Sequence, residues 1–465
     1  MTTAQTATLT GRVIRPGDAD YAAASAGWNL LFAHRPAAVV FAQDTADVVN
    51  ALAWARQHSL PVRARSGRHA LEGWNAVDDG VVIDVSEMKS ATIDAAAQTA
   101  TVGAGLNQME AVTALGAAGF AAPTGTEGTV GLVGATLGGG FGLITRNYGM
   151  ACDNLLAAEI VVAPAGGGAE AVIADEQNNP DLLWALRGAG NGNFGIVTSL
   201  TYRIHPLART VHVVATWRGT DHFPAMFDAW QRSAPHTDDR LTSQLEIARD
   251  EFVLSGVLAS GSEAEARQLL EPVLSVGAPE VVVREASWVD TYTAFQIPID
   301  EEPANWKFSS QFVSEPFPAE AIGVISTFLS TAPQGCHYFT NSFGGVVSNS
   351  EPAGGSAFAH RNALFYAEPG AAWGVRGGPA ADEQQTAACL SWMADFSEAL
   401  QPFASGAYVN VPNAGMADWE TAYWGANVGR LRNVKGRYDP CGVFNFEQGL
   451  TADVPTQRNS TERSG

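Results

Sequence analysis

Over roughly its first 200 residues the chain alternates short apolar runs with segments of helical periodicity. The apolar run at 37–41 predicts a buried strand. Asp44 or Thr45 caps the helix after it, Asp47 suits its first turn, and Val48, Val49, Leu52 and Ala55 form its apolar face. A second strand is predicted at 61–65, running straight into the loop Ser66-Gly67-Arg68-His69. Residues 81–85 are apolar on both faces, as a central strand requires. Residues 106–115 are expected to be helical, with Gly119 just past the end. A short helix at 181–186, a glycine-rich loop to Gly195 and a strand at 196–204 follow. Near His205-Pro206 the texture changes. From there to about Ser405, strands such as 211–217 and 281–284 mix with helices such as 262–270, and the glycine clusters thin out. That change predicts a second domain. The polar stretch from Thr451 is expected to be frayed.

The length of 465 residues agrees with two domains, being too long for one core. The formal net charge of −21 repels phosphate backbones and anionic lipid, which argues against nucleic acid and membrane surfaces as partners. No apolar run approaches the roughly 18 residues needed to cross a bilayer. The polar start, Met1 to Gly11, lacks the basic and apolar parts of a signal peptide, so the expected location is the cytoplasm. The cysteines Cys152, Cys336, Cys389 and Cys441 are scattered, which indicates neither a zinc site nor a disulfide framework.

Candidate chemistry lies in three glycine-bearing loops beside strands, at 65–69, 123–142 and 187–195. Successive backbone N–H groups in such loops form nests for anions, and glycine lets a backbone approach a ligand closely. Val130, Leu132, Val133, Leu137 and Phe141 interleave with the glycines of the second stretch, which marks packed backbone rather than a flexible linker. The glycines near Gly188 follow a helix and lead into a strand, the reverse of a nicotinamide-binding Rossmann motif. There is no P-loop, no Gly-x-Ser-x-Gly elbow and no histidine pair at metal spacing. A diphosphate attached to a large planar ring would use all three loops.

The motifs resemble a known family. Arg65-Ser66-Gly67-Arg68-His69 is similar to the RSGGH loop of FAD-linked oxidases related to berberine bridge enzyme, within the vanillyl-alcohol oxidase (PCMH-type) superfamily. The stretches 131–142, Tyr148-Gly149, Asp153-Asn154-Leu155 and 181–198 resemble its next segments. Tyr423-Trp424-Gly425, Asn427, Leu431, Lys435, Tyr438-Asp439-Pro440, Phe444 and Gln448 are similar to its C-terminal signature. The resemblance implies an α+β, two-domain PCMH-type fold with a discontinuous flavin domain, residues 1–205 and 406–452. A substrate domain at 206–405 would carry an antiparallel sheet covered by helices, and 453–465 would be a disordered tail.

It also implies FAD held covalently through an 8α-N-histidyl bond to His69. Arg65, Ser66, Gly67 and Arg68 would bind the cofactor with it, as would Thr129, Gly131, Gly134, Gly138, Gly139, Phe141 and Gly142. The same role carries to Asn193, Gly195, Ile196, Val197, Asn410 and Asn445. Two departures matter here. Arg68 replaces a glycine, and an arginine tolerates positive φ poorly, so the loop is expected to differ locally or Arg68 to meet a phosphate. No cysteine stands between 120 and 137, where many members form a second flavin link; Glu127 aligns there, or Ala122 with one gap. That is the single-histidine pattern of the 6-hydroxy-D-nicotine oxidase type. Cys152 is expected to be a buried small hydrophobe, and His360-Arg361 to be structural.

Many relatives place a tyrosine base after an asparagine, but here Tyr408-Val409-Asn410 is followed by Val411. Five residues before Trp373 stands Glu368, where berberine bridge enzyme has its catalytic glutamate, and alternation puts Tyr366 on the same strand face. Glu127 is the other candidate base. The implied reaction passes hydride from a small organic substrate, an amine or a natural-product intermediate, to the flavin. Molecular oxygen would reoxidise it to give hydrogen peroxide, in a monomer or homodimer. A carbohydrate or alcohol oxidase, or a flavin-containing cyclase without net redox, is the alternative.

Overall fold

A computed structural model describes residues 7–453. Of the expected tail at 453–465, residues 454–465 lie outside the described residues.

The apolar run at the start forms a buried strand, and its neighbours build a small sheet around it. β1 (Arg12–Ile14) pairs antiparallel with β2 (Ala38–Phe41). β3 (Val62–Arg65) and β4 (Val81–Asp84) complete the order β1-β2-β4-β3, with β4 parallel to both of its neighbours. β4 is interior and fully buried, as its doubly apolar pattern requires. The crossover between β2 and β3 is the helix Thr45–Gln57, whose cap Asp44 accepts from the Asp47 amide at 2.9 Å. A second, antiparallel sheet has β5 (Ala91–Asp94), β6 (Thr99–Gly103), β10 (Ile196–Arg203), β8 (Leu155–Val162) and β9 (Glu170–Ala174) in that spatial order. The two-residue pairing of β7 (Phe120–Ala121) with β11 (His205–Pro206) lies where the chain leaves this region.

The third sheet has eight antiparallel strands. They are β12 (Arg209–Arg218), β13 (Leu241–Ile247), β14 (Glu251–Leu258), β15 (Glu280–Ser287), β16 (Asn305–Phe308), β17 (Gln311–Val313), β18 (Cys336–Ser342) and β19 (Phe365–Trp373). One face packs under the helices Phe223–Ser233, Glu263–Leu274, Ala319–Ser330 and Glu383–Leu400. Leu245, Leu254, Tyr338, Phe365 and Ala367 point into that core, against Phe227, Trp230, Ile325 and Phe396. Because side chains alternate, Gln244, Glu246, Phe339, Asn341, Tyr366 and Glu368 take the opposite face. That face looks towards the first two sheets.

Several elements depart by a residue or two from their sequence pattern, each for a local reason. The helix expected from 106 starts at Gln108, because Asn107 and Glu110 form a capping box. The helix near 181 runs Pro180–Ala189 but breaks at Arg187 and Gly188 (φ 119°), where the Arg187 guanidinium donates to the Leu155 and Ala353 carbonyls. Ala357, although it falls within the second stretch of chain, is buried in the core of the first two sheets.

The chain returns to that core at its end. In the helix Val428–Tyr438, the buried Lys435 ammonium donates to the Asn193 carbonyl at 2.6 Å, the Phe444 carbonyl at 2.5 Å and Asp439 at 2.7 Å. Asp439 also accepts from the Val443 and Phe444 amides. This pair ties the C-terminal segment to the loop that leads into β10. Removing one partner of a buried pair leaves the other charge uncompensated. Lys435→Met is therefore expected to lose about 3–5 kcal/mol, read as a lowered urea midpoint.

Candidate active site

Between the glycine loops and the open face of the large sheet lies a cavity of about 920 Å³. The loop after β3 forms one side of it. Gly67 meets Gly131 backbone to backbone: a Cβ on Gly67 would lie 2.1 Å from the Gly131 nitrogen, and one on Gly131 would lie 2.5 Å from the Gly67 nitrogen. Only two glycines allow this approach. Gly138 is similarly closed off, since a Cβ there would lie 2.1 Å from Asn410 Oδ1. Gly134 differs. It lines the cavity and has no protein atom within 4 Å of where a Cβ would be.

The loop amides test whether FAD fits. Among the described residues, the backbone N–H groups of Ser66, Gly67, Arg68 and His69 donate to no protein acceptor. A row of free amides on residues that line the cavity, with open space above Gly134, suits an anionic cofactor with an extended body. The residues present therefore fit FAD.

Arg68 lines the same cavity. It adopts φ +66°, the conformation glycine would take, so the loop keeps its course. Its guanidinium donates to the Ala23 carbonyl at 2.8 Å instead of turning into the amide row. Arg65 is buried and paired with Asp84 at 2.6 Å, and Ser66 Oγ donates to the Ala104 carbonyl.

His69 faces the cavity with its ring stacked on Trp28, centroids 4.2 Å apart. Part of the ring is open to the cavity, yet dense protein around it and the nearby Arg376 charge push its pKa down to about 3, so the imidazole is neutral. Its Nε2 lies 2.9 Å from Thr129 Oγ1. That hydroxyl donates to Glu127 Oε1 at 2.8 Å, and the Thr129 amide donates to the same oxygen at 3.0 Å. A hydroxyl that donates to a carboxylate accepts from the imidazole. The proton of His69 is thus assigned to Nε2, which leaves the Nδ1 lone pair free.

Across the cavity, Tyr366 and Glu368 are side by side on β19, and the Tyr366 hydroxyl donates to Glu368 Oε2. Burial pushes the Glu368 carboxyl up to about 7, while the Tyr366 hydrogen bond pulls the other way. Tyr366 is pushed well up by burial and by the neighbouring Glu368, so it stays protonated. Phe141 packs on Tyr366 and Tyr408, at 4.8 Å and 4.9 Å between centroids. The Tyr408 hydroxyl accepts from the Gly140 amide at 2.8 Å and from Asn410 Nδ2 at 2.7 Å, which occupies it structurally.

The structure brings Gly195, Ile196, Val197, Asn410 and Asn445 to the same cavity, and Glu127 with them. Thr129, Gly138, Gly139, Gly142 and Asn193 lie outside its lining. Asn193 is buried and holds the Ala189 carbonyl and the Leu450 amide. Cys152 is fully buried, and His360 and Arg361 bond to Tyr423 and Asp153 within the fold. Sequence reasoning missed Trp28, Gln244, Glu246, Trp306, Phe308, His337, Phe339 and Asn341, all of which line the cavity. The period-two pattern that pairs Tyr366 with Glu368 also pairs Gln244 with Glu246, but it gains meaning only once the strands are known to be neighbours.

A discontinuous flavin-binding region under an antiparallel substrate sheet defines the PCMH-type FAD-binding architecture. Residues 36–167 match the FAD binding domain family, and residues 407–451 match the berberine and berberine-like family. The uncharacterised FAD-linked oxidoreductase YgaK of Bacillus subtilis strain 168 is 37% identical over 446 residues, covering 95% of this chain and 97% of its own. Among solved structures, Physcomitrella patens BBE-like 1 is 27% identical with a TM-score of 0.87, covering 96% of this chain and 98% of its own. Aclacinomycin oxidoreductase is 25% identical with a TM-score of 0.84, over 95% and 99%. The chain belongs to the berberine bridge enzyme-like family and is an FAD-linked oxidoreductase. Among the described residues no helix is long and apolar enough to cross a membrane.

The Gly67–Gly131 contact is backbone on both sides, so neither partner can yield to a side chain. Gly67→Ala is expected to yield folded protein that purifies without flavin, checked by its visible spectrum and circular dichroism. A yellow variant would contradict the close approach.

Proposed function

We propose that this enzyme is an oxidase holding FAD by one covalent bond, at His69, and that Glu368 is the base for a small amine or natural-product substrate. FAD, when bound, supplies the two-electron acceptor that dioxygen regenerates with release of hydrogen peroxide. On this reading the flavin unit comprises residues 1–205 and 406–452, and the substrate unit 206–405. The observation that carries the reading is the Tyr366–Glu368 pair on the cavity face.

Glu368 is half-buried, and its proton affinity lies near neutrality, where a base is both available and strong enough. It takes a proton from a substrate O–H, N–H or acidic C–H. Tyr366 donates to the Glu368 carboxyl and holds its orientation on the cavity lining. On the opposite side, neutral His69 offers a free Nδ1, as attachment of the flavin requires, with Thr129 and Glu127 holding the ring. A single link agrees with the absence of cysteine between 120 and 137 and with the complete burial of Cys152.

Two experiments test this. After acid precipitation the parent pellet is expected to be yellow and the His69→Ala pellet colourless; a colourless parent pellet refutes the covalent link. A panel of amines and natural products, screened for peroxide release, supplies the substrate. Anaerobic stopped flow should then show Glu368→Gln reducing its flavin at least about 100-fold more slowly than the parent, with Glu127→Gln close to the parent rate. The opposite ranking would make Glu127 the base.

A further inference from the structure

The wall of the cavity built by the large sheet has a chemistry of its own. Register aligns it in rows: Gln244 faces Asn341, which faces Tyr366, and Glu246 faces Phe339, which faces Glu368. The carboxylates that this half of the chain brings to the cavity are Glu246, Glu301 and Glu368. No lysine or arginine from residues 206–405 lines it among the described residues, and its one imidazole, His337, lies over Gly370 at the end away from Asn341. Aromatic rings fill much of the remainder, with Phe295, Trp306, Phe308 and Phe339 on the lining. Carboxylates among aromatic faces attract a cation twice over, by charge and by the ring quadrupoles. The net charge of −21 adds a long-range pull of the same sign.

A second feature points to a ligand. Asn341 is 1% exposed, and neither its Oδ1 nor its Nδ2 has a hydrogen-bond partner. Buried amides are almost always paired. This one stands on the cavity face between Gln244 and Tyr366, where a polar group of a bound molecule, with a small rotation of the amide, completes it.

We infer that the substrate carries a positively charged nitrogen on an aromatic or apolar body, that Glu246 binds this nitrogen, and that the group giving its proton to Glu368 and its electrons to the flavin lies elsewhere in the molecule. The inference rests on the proposal that this cavity is where the substrate is oxidised. Glu246 and Glu368 stand two strand spacings apart, roughly 10 Å between Cα atoms. Glu246 is exposed towards the cavity, while Glu368 is bonded to Tyr366. A cation resting on Glu368 would stabilise its carboxylate and weaken it as a base. The sheet separates the two tasks: Glu246 binds charge and Glu368 accepts the proton. Glu246 is thus a specificity-determining residue, and neutral sugars and carboxylic acids are disfavoured.

Binding tests this without turnover. Phenylpropyl-trimethylammonium, phenylbutanol and phenylbutyrate share a phenyl group on a short chain and differ in charge. Each is titrated into the flavin-loaded enzyme, read by perturbation of the flavin visible band and by calorimetry. The ammonium is expected to bind roughly tenfold more tightly than the alcohol, and the carboxylate most weakly. Glu246→Gln should remove the ammonium's advantage and leave the alcohol's dissociation constant unchanged. Equal affinities, failure of all three to bind, or an advantage that survives Glu246→Gln overturns the inference. Since no proton transfer is needed, a cation preference in an enzyme whose Glu368→Gln variant reduces at the parent rate would refute the base and leave Glu246's role standing.

Discussion

The active site depends on one close approach, the backbone contact of Gly67 with Gly131. Two loops from distant parts of the chain can touch there only because neither carries a side chain. The contact sets residues 66–69, whose amides are unbonded, on the cavity lining and brings His69 within hydrogen-bond reach of Thr129. Thr129 in turn reaches Glu127 in its own loop. Thus the same constraint shapes the anion cradle and sets the tautomer of the histidine. The Lys435–Asp439 pair performs a comparable service at the other end, fixing the segment that carries Asn193 against the C-terminal return.

The large sheet supplies the other wall, and its period of two divides the labour. One face is a dry core of Leu245, Tyr338 and Ala367 under four helices. The other presents Glu246, Phe339 and Glu368 to the cavity. The rigidity of the first face holds the second in register. It also holds Glu368 in a poorly solvated place, which raises its proton affinity towards neutrality, with the Tyr366 hydroxyl moderating the effect.

Much of this was legible before any fold was known. The run 37–41, the doubly apolar β4 and the cap at Asp44 are local signals, and local signals survive folding. The loop at 65–69 and the spacing of Tyr366 and Glu368 could be read because each lies within a few residues. Asn193 shows the limit. A motif tells where the chain bends but not which polar atoms turn inward, and here the side chain is consumed by Ala189 and Leu450. Arg68 shows another: its left-handed φ is held by surroundings that its identity alone argued against. Glu246 and Asn341 became visible only through pairing between β13 and β18, a register set by contacts far apart in sequence.

The central claim is that a half-buried glutamate tuned by a tyrosine accepts the substrate proton. The pH dependence of anaerobic flavin reduction tests it most directly, using a substrate that does not itself titrate over the range. A base must be deprotonated to act, so the rate constant should rise with pH and level off above about 7. In Tyr366→Phe the hydrogen bond that favours the carboxylate is gone, so the inflection should move to higher pH. A flat profile, or an inflection that stays in place in Tyr366→Phe, would contradict the account.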